Sequence, residues 1–544
     1  MKLVKSLLLG SAAGLTVVAG AHAADLPIKK AVPVEYVRVC STHGAGFFYI
    51  PGTDTCLRVS GRARFQATYL QAYARSGDLT GYQGLGRLNL DARTSTAYGT
   101  LRAFVRMDLS YGTGPFLASG TARLAGTGFP ALGVDTFGRV TNGVNLDKAF
   151  IQFAGFTAGR AASFFDFYAH DLEFIGSSLG SDTSSTNLLA YTATFGQGFS
   201  ATLSMEDPLL RKTPIYGSAN GGATFTPFQV FQPGAGNFTP VLGTNAFGQP
   251  VIADYDVVQR IRMPDFVGAL RYDAAWGSAQ LSAAVHEINA ANASQVRSFA
   301  GFSTVGAVAP RPTTEYGWAI QGGLKLNTPF IAPGDLLYLQ GSYGEGATRY
   351  TGYNMWLGGY TNFSSLATGT TFGTSLVDAV VDPLSGKLDL SKSWTVSAAY
   401  LHYWTPEWRS AVFGSYGEMS YGKSSRANLG FVNQLGGFTT GPLPSPFAPG
   451  FAFTNQLRDT NQIVAGASLI WSPVRDLDIG LEGNYARLAL QSGRVIDQNK
   501  APGIGGAQVV NVVNGVPVVA GGGVLPTTSA TDTFQIRMRV QRDF

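Results

Sequence analysis

The chain has 544 residues and a formal charge of +5, and its 13% of charged residues is about half the share usual in soluble domains. A hydrophobic content of 45% excludes a disordered chain, two cysteines exclude a disulfide-dense scaffold, and so little charge is too sparse to cover a soluble enzyme of this size. Outside the first two dozen residues no run of about twenty apolar residues occurs, which excludes a bundle of membrane helices and leaves a Gly-rich, aromatic-rich β protein with the profile of an outer-membrane barrel.

At the start of the chain, Lys2 and Lys5 precede an apolar stretch from Leu7 to Gly20, and Ala21-His22-Ala23 follows as a small-x-small cleavage site. Residues 1–23 therefore read as a cleaved signal peptide, whose loss removes two of the five net positive charges. No run of like charges remains to suggest nucleic acid. Residues 24–55 form a pre-barrel periplasmic segment. In an exported protein Cys40 and Cys56 read as a disulfide staple; with only His43 nearby as another soft ligand, a metal site is disfavoured.

From Cys56 the chain alternates strictly. Leu57, Val59, Gly61, Ala63, Phe65, Ala67 and Tyr69 take one face, and Arg58, Ser60, Arg62, Arg64, Gln66 and Thr68 the other. A period of two means a strand with one apolar and one polar face. The last residues repeat the pattern, with Phe534, Ile536, Met538 and Val540 against Gln535, Arg537, Arg539 and Gln541; so do Phe199–Glu206, Gly277–His286, Tyr316–Asn327 and Asp476–Tyr485. Short Gly- or Pro-bearing connectors (at 97–100, 155–156, 195–198, 276–278, 327–334, 405–407 and 472–475) alternate with long segments at 71–85, 113–143, 164–187, 207–263, 289–313, 346–390, 421–457 and 490–530. Eight long loops and seven short turns require about sixteen strands. Residues 56–544 thus predict an all-β, closed antiparallel transmembrane barrel with short periplasmic turns and long external loops. Tyr69, Tyr111, Phe195, Tyr272, Trp276, Tyr316, Trp318, Trp404, Trp408, Trp471, Tyr485 and Phe544 lie near strand ends, where interfacial girdles belong. On the strand at 145–153, a lipid face read from Phe150 would also carry Lys148 and Gln152, which suggests shielding by a neighbouring protomer.

The mature start ADLPIKKAVPVEYVRVC, the block GAGFFYIPGTDTC, the segment KAFIQFAGFTAGRAASFFDF and the terminal QIRMRVQRDF together resemble the porins of alphaproteobacterial outer membranes. The resemblance is densest at 24–65, 145–192 and 530–544. It implies a homotrimeric general-diffusion channel in the outer membrane, in contact with its lipid and lipopolysaccharide, with the third external loop folded into the pore. It also implies that Phe544 serves as the signal read by the outer-membrane insertion machinery. Small hydrophilic solutes and ions are the implied cargo, without cofactor or metal. A substrate-specific channel for a sugar or small organic solute is the alternative, disfavoured because no aromatic row is evident on the polar faces.

Enzyme chemistry finds little support. Gly176-Ser177-Ser178-Leu179-Gly180 matches G-x-S-x-G, but in a Ser-rich loop rather than at a strand–helix elbow. His286 and His402 sit in separate hairpins, away from a serine partner. The candidate pore residues are instead two sets of charges. Arg58, Arg62, Arg64, Arg87, Arg93, Arg102, Arg106, Arg537 and Arg539 lie on polar faces of the first three strands and the last, which closure makes adjacent. Asp166, Asp171, Glu173 and Asp182 lie in the aromatic-rich third loop and would oppose that basic wall across a constriction.

Overall fold

The computed structural model describes residues 38–544 apart from 72–78, 114–139, 183–184, 214, 217–236, 239–240, 245–249, 257–258, 260, 290–292, 299–300, 305–313, 354–376, 383–386, 436–442, 498–499 and 502–503. The expected signal peptide at 1–23 and residues 24–37 lie outside the described residues.

Alternating side chains produce sixteen long antiparallel strands among the described residues. In chain order they are β1 (Cys56–Leu70), β2 (Thr80–Thr96), β3 (Gly99–Thr113), β4 (Val140–Phe153), β5 (Phe156–Ala161), β6 (Thr186–Phe195), β7 (Phe199–Glu206) and β8 (Asp265–Ala274). The second half comprises β9 (Gly277–Ile288), β10 (Glu315–Asn327), β11 (Leu336–Glu345), β12 (Lys392–Tyr403), β13 (Trp408–Ser420), β14 (Thr460–Val474), β15 (Leu477–Leu490) and β16 (Ala530–Asp543). Each strand pairs with its sequence neighbour, and β16 pairs back onto β1 from Arg62↔Asp543 to Leu70↔Gln535. Closure leaves no sheet edge in hydrocarbon. β2 begins at Thr80, so the first loop is shorter than the 71–85 expected from the sequence.

Tight turns hold the periplasmic end. Gly277 has φ +143°, and an added Cβ would meet the Lys325 carbonyl at 1.9 Å, so only glycine lets β9 leave its turn against β10. The same end carries the Cys40–Cys56 disulfide, which fastens a small knot to the base of β1. There the Phe47 ring lies under the Arg93 guanidinium, 4.9 Å from its centroid. At the seam, Phe544 exchanges backbone hydrogen bonds with Gly61 (2.8 and 3.1 Å) and lays its ring over it; a Cβ on Gly61 would come within 2.4 Å of that ring.

The outer face is a band of exposed Leu, Ile, Val, Phe and Met, and most of the expected girdle aromatics are exposed on it. The register corrects one expectation. Arg102↔Gln152, Phe104↔Phe150 and Arg106↔Lys148 are directly paired, so Phe150, Gln152 and Lys148 share the lumen face of Arg102 and Arg106. The lipid row of β4 is instead Val144, Leu146, Ala149 and Ile151. A β-bulge between the Arg106 and Met107 pairings inserts Asp147 and shifts parity by one, which strict alternation cannot reveal. Shielding of Lys148 by a second protomer is thus not required.

Candidate lumenal constriction

Parity aims the arginines of β1–β3 and β16 inward, and the register sets carboxylates among them. Arg87 forms a two-pronged bond to Asp108 at 2.6 and 2.7 Å, with both side chains buried. Arg93 and Arg102 share Asp91, at 2.8 and 2.9 Å. Arg62 meets Asp543 at 2.6 Å, and Arg64 donates to Gln541 at 2.9 Å. Arg106 reaches Asn89 at 2.9 Å and the bulged Asp147 at 3.4 Å. Arg58, lower on β1, is exposed beside Gly46. Asp91 and Asp108 were legible from parity once their strands were known; Asp147 was not, because the bulge turns it inward.

This wall also bears aromatics that the sequence reading overlooked. Phe104 and Phe150 stack at 5.3 Å, and the guanidinium of Arg102 lies over both rings at 5.0 and 5.4 Å, with Arg106 5.6 Å from Phe104.

β5 has only six residues because the third loop leaves the wall after Ala161 and returns at Thr186. Between them the chain runs along the lumen side of the barrel. Gln280, Ser282 and Gln321, from β9 and β10, all donate to the Phe165 carbonyl. The Tyr168 N–H bonds to Gln340 of β11 at 2.9 Å, and that of Leu179 to Ser415 of β13 at 2.7 Å. The Phe174 and Ile175 N–H groups both reach Glu482 of β15, while the Phe174 carbonyl accepts from Arg537 and Arg539 of β16. Aromatic side chains fill the space beneath: Phe165 packs with Val267, Ala284 and Ala319, and Tyr168 with Tyr338, Ala399 and Phe413.

The four loop acids have distinct surroundings. Asp166 pairs with Arg211 of the fourth external loop at 2.6 Å. Glu173 folds back on its own loop, accepting from Tyr168 Oη, from the Ser177 and Ser178 N–H groups and from Ser178 Oγ. Asp182 accepts from His170 Nδ1 at 2.7 Å. Asp171 is exposed to the lumen, with Tyr338 Oη at 3.4 Å. Enclosure within the barrel, together with the neighbouring Asp182, pushes its carboxyl above the ordinary carboxylate range.

The G-x-S-x-G match has no nucleophile geometry. Ser178 Oγ is committed to Glu173, and His170 Nε2 faces the Ser178 carbonyl at 2.7 Å rather than the hydroxyl. His286 is buried against the Gly346 carbonyl, and His402 is bonded to Asp335.

At the external end, described parts of loops four, six and seven pack together as a roof around a core of Ile215, Tyr216, Val380, Leu388, Leu429 and Leu457, which includes Ile288 at the end of β9. Arg211 joins this roof to the third loop through Asp166, Ser181 and the Arg349 carbonyl, with its guanidinium 4.3 Å from the Tyr350 ring centroid. Burial alone would lower the pKa of this guanidinium, but Asp166 outweighs it and holds the group firmly charged.

A model for a porin subfamily matches residues 25–506. Porin Omp2b of Brucella suis is 32% identical over 343 residues, covering 59% of this chain and 80% of that protein. The Omp2b porin of Brucella neotomae is 31% identical over 364 residues, covering 65% and 78%. Among solved structures, the outer membrane channel DcaP of Acinetobacter baumannii aligns with a TM-score of 0.47 at 11% identity, over 91% of this chain and 99% of that one. An anion-selective porin from Comamonas acidovorans aligns with a TM-score of 0.37 at 11% identity, over 90% and 100%.

Proposed function

This chain belongs to the porin subfamily, and from that premise we propose that solutes cross it through the gap between the third loop and the arginine-bearing wall of β16 and β1–β4. It is a porin of the bacterial outer membrane, a channel for passive diffusion, and family membership implies a channel rather than an enzyme. The observation that carries the proposed route is the course of the third loop. Its described bonds to the barrel run to Glu206 at the end of β7 and to β9–β16, with Ser185 meeting Asp147 where the loop re-enters the wall, so the remaining width lies before β1–β4.

Small hydrophilic solutes and ions suit this gap, and anions are favoured. On β16 and β1–β4 the described lumen-facing cations outnumber Asp91, Asp108, Asp147 and Asp543. Three of the four loop acids are meanwhile bonded within the loop layer. A substrate-specific channel is the second reading, favoured by the Phe104–Phe150 pair beneath Arg102, on which a planar solute could stack. Liposome swelling with sugars of graded size separates the two. A general channel gives rates that fall smoothly with size and never saturate; saturation by one solute would instead establish the specific reading.

Assembly as a trimer rests on Arg160. It pairs with Ala149 and Asn187 in the outward row and donates to the Leu146 carbonyl at 2.7 Å. Four residues above the periplasmic turn place it about 10 Å into an apolar band about 25 Å tall. An arginine facing lipid at that depth costs about 2–4 kcal/mol, which a contact with a second copy removes. Arg160→Leu should lower the temperature at which the oligomer dissociates on mild-detergent gels, by roughly 5 °C or more. An unchanged or more stable oligomer would place the side chain in lipid.

Export through a signal peptide at 1–23, a periplasmic segment at 24–55 and delivery by the outer-membrane insertion machinery complete the reading. Deleting Phe544 removes a mostly exposed ring and its backbone bonds to Gly61, together worth on the order of 1–2 kcal/mol of folded stability. Assembled protein in cells should nonetheless fall severalfold. Equal losses in cells and in detergent-folded protein would restrict Phe544 to packing over Gly61.

A further inference from the structure

The tip of the third loop is gripped by charges from two adjacent strands. Glu482 of β15 accepts the N–H of Phe174 at 2.6 Å and that of Ile175 at 2.7 Å. Arg539 and Arg537 of β16 donate to the Phe174 carbonyl at 2.7 and 3.2 Å. The Phe174 ring lies 4.2 Å from the Arg539 guanidinium and fills the space over Gly480, where an added Cβ would come within 2.5 Å of it. All three charged residues are buried. Water in the lumen could satisfy the same backbone groups without burying a carboxylate and two guanidinia. Where the loop leaves and re-enters the wall, Glu206 of β7 and Asp147 of β4 each take one bond from it; along the span between, its other described wall bonds use neutral Gln, Ser, Asn and Tyr side chains, and charge-assisted bonds are roughly twice as strong.

We propose that Glu482 is a positioning residue for permeation: with Arg537 and Arg539 it clamps the Phe174–Ile175 peptide and so sets the width of the pore. This rests on the reading that the third loop bounds the pore. The clamp sits where the loop comes nearest to β1, because β16 is the neighbour of β1 across the seam. Slack at this point therefore changes the gap itself, whereas slack over β9–β11 changes only packing behind the loop. Gly480 is part of the same device, since its missing side chain is the socket for Phe174.

The test compares full-length wild type, Glu482→Ala, Gly480→Leu and a deletion of residues 169–179, each folded and reconstituted. The readouts are the trisaccharide-to-monosaccharide ratio of liposome swelling rates, open-channel noise in planar bilayers and folded mobility on gels. Both point variants should raise the ratio about threefold or more and increase the noise, while retaining folded mobility, as expected for local release of a loop. Gly480→Leu leaves charge unchanged, so a rise shared by both variants reports loop position rather than an altered field. A wild-type ratio in both, with a raised ratio in the deletion, would overturn the clamp alone. An unchanged ratio in the deletion would overturn the reading of the third loop as the pore boundary, and the clamp with it.

Discussion

Replacing Arg62, Arg64 and Arg102 with Glu should reverse the ionic preference of the channel, from anions toward cations, in reversal potentials under a salt gradient. Each replacement moves the wall by two charges, and the positions lie on β1 and β3, on either side of β2. The wild-type guanidinia are already partly offset: Arg62 by Asp543 at 2.6 Å and Arg102 by Asp91 at 2.9 Å. Reversal therefore does more than cancel a positive field, because it strands Asp543 beside a new carboxylate and leaves Asp91 with Arg93 as its remaining arginine. With a screening length of about 8 Å at physiological salt, the change reaches across a narrow gap. A permeability ratio altered by roughly threefold or more corresponds to about one kT of lumen potential. On the opposite side the geometry separates two acids that look alike in the sequence. Asp171→Lys should move selectivity further toward anions, because that carboxylate meets the lumen. Glu173→Lys should chiefly disorder the loop, because Glu173 caps its Ser177 and Ser178 N–H groups. If neither the arginine set nor Asp171 moves the reversal potential, the constriction is built from other residues.

Replacing Asp108 with Ala should cost about 3–5 kcal/mol of barrel stability, because it leaves the buried Arg87 guanidinium without its two-pronged partner. Asp147 lies 4.0 Å from Arg87 and is already engaged by Arg106 and Ser185, so it offers little relief. Replacing Arg87 and Asp108 together with Met and Leu should recover most of the loss, since the penalty arises from the stranded charge more than from the lost bond. Equilibrium unfolding in detergent, followed by tryptophan fluorescence, measures both. A single variant within about 1 kcal/mol of wild type would mean that water reaches Arg87.

The barrel was legible because a strand has a period of two and a bilayer accepts only a closed sheet. Strict alternation at Cys56–Leu70 and Phe534–Gln541 identified the lumen face of β1 and β16 residue by residue, and long segments alternating with short turns yielded the strand number. The sparse charge and the short apolar stretch at Leu7–Gly20 pointed to the compartment. The same rule misled at β4, where the inserted Asp147 shifts parity and carries Phe150, Gln152 and Lys148 into the lumen. It also says nothing of loops, which have no period. That Glu173 turns inward while Asp171 meets the lumen, that Arg211 ties the roof to the third loop, and that Glu482 holds Phe174 were all decided by tertiary structure. Phe174 and Glu482 are separated by 308 residues, and only closure of the sheet brings β15 and β16 under the loop tip. Local pattern determines which way a strand residue points, because backbone sterics set that direction one residue at a time. Which charge meets which depends on register and on contacts across the lumen, and those exist only once the chain has closed on itself.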